Sequence, residues 1–280
     1  MSYKLSPFFI LLSLAISAPA LHSSISINST DFSYTQDFNS LPTANTGTFT
    51  WEDNSTLEGW YRRANVSNSN QTPDPGLIDI SAQGSNVGPV GFYNASTANN
   101  SDRAVGFRID GQPSGLKKGS VGVVFTNNTG LTITGFDLGY TGEQWYRSVN
   151  DTTLFLQYAV VNSFADDISG DIDRSQPGTW TGVSALSWTV EGGDTNTWTN
   201  GTEPAFTNVF EPMTISGLSI ADGQDLVIRW RIAETNENQA GLFIDDVTFG
   251  NITAIPEPST YAVITGLLMF GLVLYRRKRV

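Results

Sequence analysis

The 280-residue sequence contains no cysteine and a single histidine, His22. Without cysteine the fold has no disulfides, so its stability must come from a hydrophobic core and, where one binds, from a metal ion. The histidine lies close to the N-terminus, which argues against Ser-His-Asp or Cys-His catalysis and against histidine-rich zinc or iron sites. Any catalysis would therefore depend on carboxylates, tyrosine, lysine or bound calcium.

Helical periodicity is missing from residue 21 to residue 254. Runs that alternate between apolar and polar residues take its place, separated by clusters of Asn, Gly, Asp and Thr. In the clearest run, 226–232, large apolar residues alternate with Arg229 and Arg231. This pattern predicts a single all-β domain, an antiparallel β-sandwich.

Two runs carry further detail. Residues 153–161 are apolar on both faces, which predicts a central strand. Within residues 131–140 the alternation slips by one position at Gly135, which predicts a β-bulge. The other predicted strands are 103–109 and 120–125, and the predicted loops are 71–76 and 192–196.

Positive charge is scarce, with 15 Lys and Arg residues against 27 Asp and Glu residues. Five of these cations, Lys4 and the four at 276–279, lie near the chain ends, as does Glu257. Without those six residues, ten cations face 26 acids, which leaves about −16. This charge argues against nucleic acid and anionic lipid as partners and favours divalent cations.

Residues 1–20 have the organisation of a secretory signal peptide. Lys4 gives a positive start, residues 8–16 form a short apolar core, and Ala18 and Ala20 are small residues at the recognition positions. We expect cleavage after Ala20, so this segment would be absent from the mature protein.

The C-terminal segment 255–280 has three parts. Pro256 and Pro258 flank Glu257 and favour an extended, accessible peptide. Residues 260–275 form a predicted transmembrane helix without charge, slightly shorter than the roughly 20 residues of a full span. By the positive-inside rule, the cations that follow hold the C-terminus on the cytoplasmic side. These cations are Arg276, Arg277, Lys278 and Arg279.

The order of Pro-Glu-Pro motif, short apolar helix and basic end closely resembles the PEP-CTERM sorting signal of Gram-negative bacteria. The resemblance implies export, anchoring in the inner membrane, and removal of the tail near residues 256–258 by an exosortase-type processing enzyme. It further implies a final location at the cell surface or in the extracellular matrix, in association with polysaccharide. The alternative is a single-pass anchor that is never cut. The predicted organisation is a signal peptide at 1–20, a β-sandwich domain at 21–254 and a sorting signal at 255–280.

Several stretches of the predicted domain resemble a recurring exported bacterial module. The stretches are 38–42, 48–61, 124–130, 140–145, 226–230 and 241–247. The resemblance implies a jelly-roll or lectin-like β-sandwich of surface proteins that has no assigned activity. The predicted function is therefore non-catalytic, either structural or polysaccharide-binding.

Asp245 and Asp246 lie side by side in a predicted strand, so one of the two carboxylates must point toward its apolar side. A buried charge needs a partner. The partner is a calcium ion, one of Arg229 and Arg231 on a neighbouring strand, or water at the end of the sheet. The segment 244–247 resembles the last strand of jelly-roll carbohydrate-binding modules. That resemblance implies a structural calcium held by the last-strand acid and by an acid near the N-terminus, for which Asp37 is the matching candidate.

Aromatic residues beside charged ones predict a site that stacks on sugar rings. The candidate glycan-binding residues are Trp60, Tyr61, Glu143, Trp145 and Tyr146. Adjacent residues of a strand point to opposite faces, so one aromatic of each Trp-Tyr pair is expected to be partly exposed. The alternative is that these aromatics pack in the core.

The rival function is a carboxylate-dependent enzyme acting on glycans, which needs two acids at a defined separation. Glu52, Glu58 and Glu143 are candidates for such a pair, and a structure with two close acids in a cleft would favour it. The acidic segment 166–173 offers further oxygen ligands but lacks EF-hand spacing, so a solvated loop is favoured there.

Overall fold

The computed structural model describes residues 24–43, 46–65, 77–82, 91–97, 100–109, 118–167, 172, 180–233, 235–257, 266, 268 and 269. These residues form an all-β fold. The strands are β1 (Ile25–Ile27), β2 (Tyr34–Gln36), β3 (Thr46–Thr50), β4 (Trp60–Asn65), β5 (Leu77–Ala82), β6 (Gly91–Ser96), β7 (Ala104–Arg108), β8 (Lys118–Asn127), β9 (Leu131–Arg147), β10 (Thr152–Val161), β11 (Thr181–Gly182), β12 (Trp188–Val190), β13 (Thr197–Trp198), β14 (Thr207–Ile220), β15 (Asp225–Ile232) and β16 (Gly241–Pro256). A four-residue helix, α1 (Phe164–Asp167), and a 3-10 turn (Ser184–Leu186) follow β10 and β11.

The strands form two sheets, which are antiparallel apart from the β1–β8 and β5–β6 pairs. Sheet A has the order β1-β8-β15-β10-β11, with β4 also on β8 and β12 also on β10. Sheet B has the order β13-β9-β16-β7-β6-β5-β3, with β14 also on β9 and β2 also on β16. From β7 onward the chain passes repeatedly from one sheet to the other.

The two sheets pack on one hydrophobic core, as the sequence predicts for a β-sandwich. Apolar residues of β15 fill it from sheet A, and apolar residues of β9 and β16 fill it from sheet B. Aromatic contacts join the sheets directly, since Phe125 stacks on Phe249 at 4.3 Å and Tyr140 meets the edge of Trp230 at 5.5 Å between ring centroids.

The alternating pattern predicts several strands correctly. Residues 226–232 lie within β15, and residues 153–161 lie within β10, which has strands on both sides. The registers of β9 with β14 and with β16 both shift next to Gly135, which confirms the predicted bulge. The predicted loop 192–196 is irregular. The predicted loop 71–76 lies outside the described residues.

Each sheet carries a smaller apolar cluster on its outer face, away from the main core. On sheet A this cluster contains Tyr61, Val124, Ala159, Val161, Phe164, Ile172 and Val227, with Trp180 packed against it. On sheet B it contains Ala95, Ala104, Trp145 and Phe243, with Trp198 packed against it. Because these clusters cover part of each outer face, some charged side chains that point away from the main core are also buried.

The two predicted targeting segments fall almost entirely outside the described residues, including Ala18, Ala20, Pro258 and the four terminal cations. Within the described part of the chain, no helix has both the length and the apolar character needed to cross a membrane. β16 runs through Pro256. This last strand continues to pair with β9 as far as Pro256, which pairs with Leu131.

Candidate metal centre

Three carboxylates converge on the outer face of sheet B. Oxygen atoms of Asp102, Glu143 and Asp245 all lie within 4.8 Å of one another. Asp102 lies just before β7, Glu143 lies on β9 and Asp245 lies on β16, and β16 pairs with both other strands. Three sequence-distant acids therefore meet because strand pairing places them side by side.

A bulge in β16 decides which of the two adjacent aspartates is buried. The side chains of Leu242 and Ile244 enter the main core, so Asp245 points to the outer face. The pairing with β9 shifts register after Asp245, and Asp246 has a φ of 47°, in the left-handed region. Aspartate tolerates this conformation better than most residues. As a result Asp245 is buried, at 3% exposure, while Asp246 is exposed.

The two buried acids have few hydrogen-bond donors. The Trp145 indole Nε1 donates to Glu143 Oε2 at 2.7 Å, and the Asp246 backbone N–H donates to Asp245 Oδ1 at 2.7 Å. Glu143 is only 5% exposed. Asp102 is half-buried and Asp37 is exposed.

Burial and the charges of neighbouring acids raise the pKa values of Glu143, Asp245 and Asp246, so their charged forms are disfavoured. Burial, then the charges of Asp246 and Glu143, raise the pKa of Asp245 to about 9. Burial raises the pKa of Glu143 to about 7, against the opposing effect of the Trp145 hydrogen bond. Burial and the charges of Asp102 and Asp37 raise the pKa of Asp246. We call Asp37, Asp102, Glu143, Asp245 and Asp246 the acidic cluster.

In the described ranges, no lysine or arginine forms an ion pair with any acid of this cluster. The ion pairs there join Arg63 to Asp53 at 3.0 Å and Arg147 to Asp194 at 3.6 Å. Arg229 and Arg231, predicted as alternative partners of the last-strand acid, lie on the outer face of sheet A. That prediction is wrong, because the neighbours Ile228, Trp230 and Ile232 of these arginines fill the main core and turn both arginines away from sheet B.

The donor set is suited to a hard cation. Calcium takes six to eight oxygen ligands, and carboxylates are its usual protein ligands. The three converging carboxylates would hold the ion, and Asp246 and Asp37 add negative charge nearby. The sequence predicts Asp37, Asp245 and Asp246 as calcium ligands. The structure brings Asp245 together with Asp102 and Glu143, which the sequence analysis did not assign to a metal, because no local motif links three distant strands.

The exposure expected at the candidate glycan-binding residues is absent, and that expectation is wrong. All five are buried: Trp60 at 0%, Tyr61 at 4%, Glu143 at 5%, Trp145 at 1% and Tyr146 at 6% exposure. The predicted site therefore loses the open aromatic faces on which a sugar would stack.

Tyr61 and Trp145 are buried because other segments of the chain pack over the outer faces of the two sheets. The ring of Tyr61 packs edge-on against Phe164 of α1 at 4.5 Å. A Cβ atom built on Gly201 would lie 2.4 Å from Trp145 Nε1, so the backbone of that loop closes over the indole. Trp60 faces the main core, where it stacks on Trp230 at 6.0 Å.

The other acidic candidates do not join the cluster. Glu52 and Glu58 are exposed, and neither forms a group of three metal-ligating side chains with Glu143 among the described residues. Asp166 and Asp167 end α1, and most of the acidic segment that follows lies outside the described residues.

Comparisons with known proteins give distant structural similarities only. No family model and no curated protein matches the sequence. Among solved structures, the enzymatically active domain of tailspike protein 4 of bacteriophage CBA120 has a TM-score of 0.34 and 10% identity, over 70% of this chain and 19% of that chain. The chain thus spans about a fifth of the tailspike structure.

Two smaller structures also match. TmCBM61 in complex with beta-1,4-galactotriose has a TM-score of 0.27 and 12% identity, over 68% of this chain and 86% of that chain. The K1 cleaved adhesin domain of Lys-gingipain from Porphyromonas gingivalis has a TM-score of 0.32 and 13% identity, over 80% of this chain and 99% of that chain. Similarities this low say nothing about the ligand or activity of this chain.

Proposed function

We propose that this chain is an exported, non-catalytic protein of the cell surface or extracellular matrix, with a calcium-stabilised β-sandwich that is structural or polysaccharide-binding. The observation that carries the proposal is the acidic cluster, in which Glu143 and Asp245 are buried without a cationic partner among the described residues. A bound calcium ion supplies the counter-charge that this site needs.

The finer fold within this proposal is a jelly roll. Its support is the strand order β14-β9-β16-β7 in one sheet and β8-β15-β10 with β11 or β12 in the other. Together with the alternation of the chain between the sheets, this order supports an arrangement of two interlocked Greek keys. The first and last strands of that arrangement would be β7 and β16, whose pairing brings an acid just before β7 close to an acid on β16.

The arrangement of the acids argues for metal binding rather than glycan hydrolysis. Glycosidases hold their two carboxyl groups about 5–5.5 Å or 6.5–9.5 Å apart in a cleft that admits the sugar. Here Glu143 and Asp245 are 5% and 3% exposed, and their oxygens lie within 4.8 Å. A substrate has no access to acids so deeply buried.

The location rests on the resemblance of the chain ends to sorting signals. We propose an inner-membrane stage through residues 260–275, followed by removal of the tail by an exosortase-type enzyme. Mass spectrometry of the native protein tests this step. A mature chain that ends near residues 256–258 supports it, whereas a chain that still carries Arg276–Val280 identifies an ordinary anchor.

The calcium claim is tested by thermal unfolding of the purified protein in calcium and in chelator. An ion that binds only the folded state stabilises it by about 2.7 kcal/mol at a hundredfold excess over the Kd. We expect a higher Tm in calcium for the wild type and for Asp194→Asn, whose side chain is 90% exposed and is not one of the three converging acids. Identical melting curves in calcium and in chelator would refute the proposal.

A further inference from the structure

The carboxylate of Glu257, in the middle of the Pro-Glu-Pro motif, is docked against the folded domain. Its Oε1 accepts hydrogen bonds from the Thr132 hydroxyl at 2.8 Å and from the Asp222 backbone N–H at 3.1 Å. Pro256, one residue earlier, pairs with Leu131 at the start of β9. Pro256 and Glu257 are therefore joined to two separate parts of the domain, β9 and the turn between β14 and β15.

Hydrogen bonds around Asn127 fix the position of both donors. The buried Asn127 amide donates to the carbonyl oxygens of Leu131 and Ile220, at 2.7 and 2.8 Å. The Gly130 N–H donates to Asp222 Oδ1 at 2.7 Å. The loop before β9 and the turn before β15 thus form one connected unit that presents two donors to a single carboxylate.

Apolar packing does not explain why this end of the chain is held. Ile255 is 51% exposed and Pro256 is exposed, whereas Thr132 is only 7% exposed. Proline also lacks the N–H that would donate to the strand ladder at residue 256. Charge-assisted hydrogen bonds to a carboxylate are stronger than neutral ones, so Glu257 is the natural anchor of this strand end.

We infer that Thr132 and the Asp222 amide form an intramolecular binding site for the Glu257 carboxylate, which latches Pro256 and Glu257 of the Pro-Glu-Pro motif onto the folded domain. Access to the motif then requires local opening of the end of β16. A processing enzyme that recognises Glu257 must compete with the domain for the same carboxylate. This last consequence rests on the proposed sorting function, while the latch itself does not.

Amide hydrogen exchange of residues 253–255 and 257 in the full-length chain tests the latch, since Pro256 has no amide hydrogen. Thr132→Val removes the hydroxyl donor at nearly constant shape, and Thr132→Ser retains it as the matched control. We expect exchange to become about tenfold faster in Thr132→Val and to stay near the wild-type rate in Thr132→Ser. Wild-type rates in Thr132→Val would overturn the inference.

A second variant keeps the test decisive if Thr132→Val destabilises the whole domain. Glu257→Ala removes the acceptor at a half-buried position at the end of the strand. We expect the same acceleration at the amides of residues 253–255 and 257, with the Tm unchanged. Slow exchange in Glu257→Ala would overturn the latch. Because no processing enzyme is present, neither result depends on whether the tail is cut in the cell.

Discussion

On the outer face of sheet A a buried arginine is surrounded by partners from its own chain, whereas on the outer face of sheet B two buried acids lie against further acids. The Arg229 Nε and Nη2 donate to Gln157 Oε1 at 2.9 and 2.7 Å, and Nη1 donates to the Ile172 carbonyl at 2.8 Å. The guanidinium also lies 3.6 Å from the centre of the Trp180 ring.

The acids of sheet B lack an equivalent arrangement. Glu143 and Asp245 each accept one hydrogen bond within the described region, and burial and the charges of Asp102 and Asp246 raise the pKa of both. A buried charge that is not compensated costs several kcal/mol in typical proteins. The chain itself therefore supplies the partners of the buried charge on sheet A. On sheet B the buried acids need either protons or a bound cation to remain stable.

The largest expected effect tests whether Trp60, in the main core, and Trp145, on the outer face of sheet B, are interior residues. Trp60→Ala and Trp145→Ala should each lower the free energy of unfolding by about 3–5 kcal/mol, because each leaves a large cavity. Urea denaturation measures this loss. Two variants that unfold like the wild type but no longer retain polysaccharide would restore the glycan site predicted from the sequence.

Removing a partner of Arg229 tests the self-sufficiency of sheet A. Gln157→Leu should destabilise the protein by about 2 kcal/mol, since it removes an acceptor from a buried cation. The loss should be equal in calcium and in chelator. Thr153→Val on the same strand is the control, because its hydroxyl bonds only to the exposed Thr189. A loss of stability that depends on calcium would show that the outer faces of the two sheets are energetically coupled, and that sheet A is not self-sufficient.

The stability of the metal-free protein as a function of pH tests whether Glu143 and Asp245 on sheet B resist ionisation. The folded pKa values of Glu143, about 7, and Asp245, about 9, lie above those of unfolded Glu and Asp, about 4. Their contribution to stability is therefore greatest below about pH 4 and is lost as the pH rises through 7 and 9. Each retained proton gives a slope of about 1.4 kcal/mol per pH unit.

Chemical denaturation between pH 5 and 7 in chelator measures this slope. The wild type should lose stability more steeply with rising pH than Asp245→Asn, which cannot ionise at that position. Equal slopes in the two proteins would mean that Asp245 is ionised without help, and that the cluster needs no cation.

The smallest expected effect concerns Phe155 on β10, which is 39% exposed on the outer face of sheet A and pairs with Arg231. It is the aromatic member of the exposed large apolar residues in the described part of the chain, so the proposed polysaccharide binding is tested there. Phe155→Ala should cost about 1–2 kcal/mol, because part of the side chain is already in water. Retention on an immobilised polysaccharide should fall, with Val209→Ala, an apolar residue of sheet B that is 58% exposed, as the control. Unchanged retention would remove Phe155 from any binding surface.

The local pattern of the sequence predicts much of the sandwich but little of its outer faces. Alternation in 226–232 and the slip at Gly135 depend only on neighbouring residues, and both predictions are confirmed. The burial of Trp145 depends on a loop more than 50 residues later that closes over it at Gly201. Alternation assigns a side chain to one face of a strand, but it does not say whether that face is covered.

The candidate metal centre shows the same division. The adjacent aspartates in the last strand indicate that one acid is buried. Only the bulge at Asp246 decides that it is Asp245 whose side chain is buried on the outer face of sheet B. Asp102 and Glu143 join it through pairing across three strands. No spacing in the sequence encodes that register.

Isothermal titration of calcium into the chelator-treated protein measures whether the acidic cluster binds calcium. We expect one calcium ion per chain in the wild type and in Asp194→Asn, and no binding in Asp245→Asn or in Glu143→Gln. We also expect the two variants that do not bind calcium to keep the fold, because each replaces a buried carboxyl group by an amide of the same shape. Absence of calcium binding in the folded wild type, or undiminished binding in folded Asp245→Asn, would show that the cluster is not a calcium site.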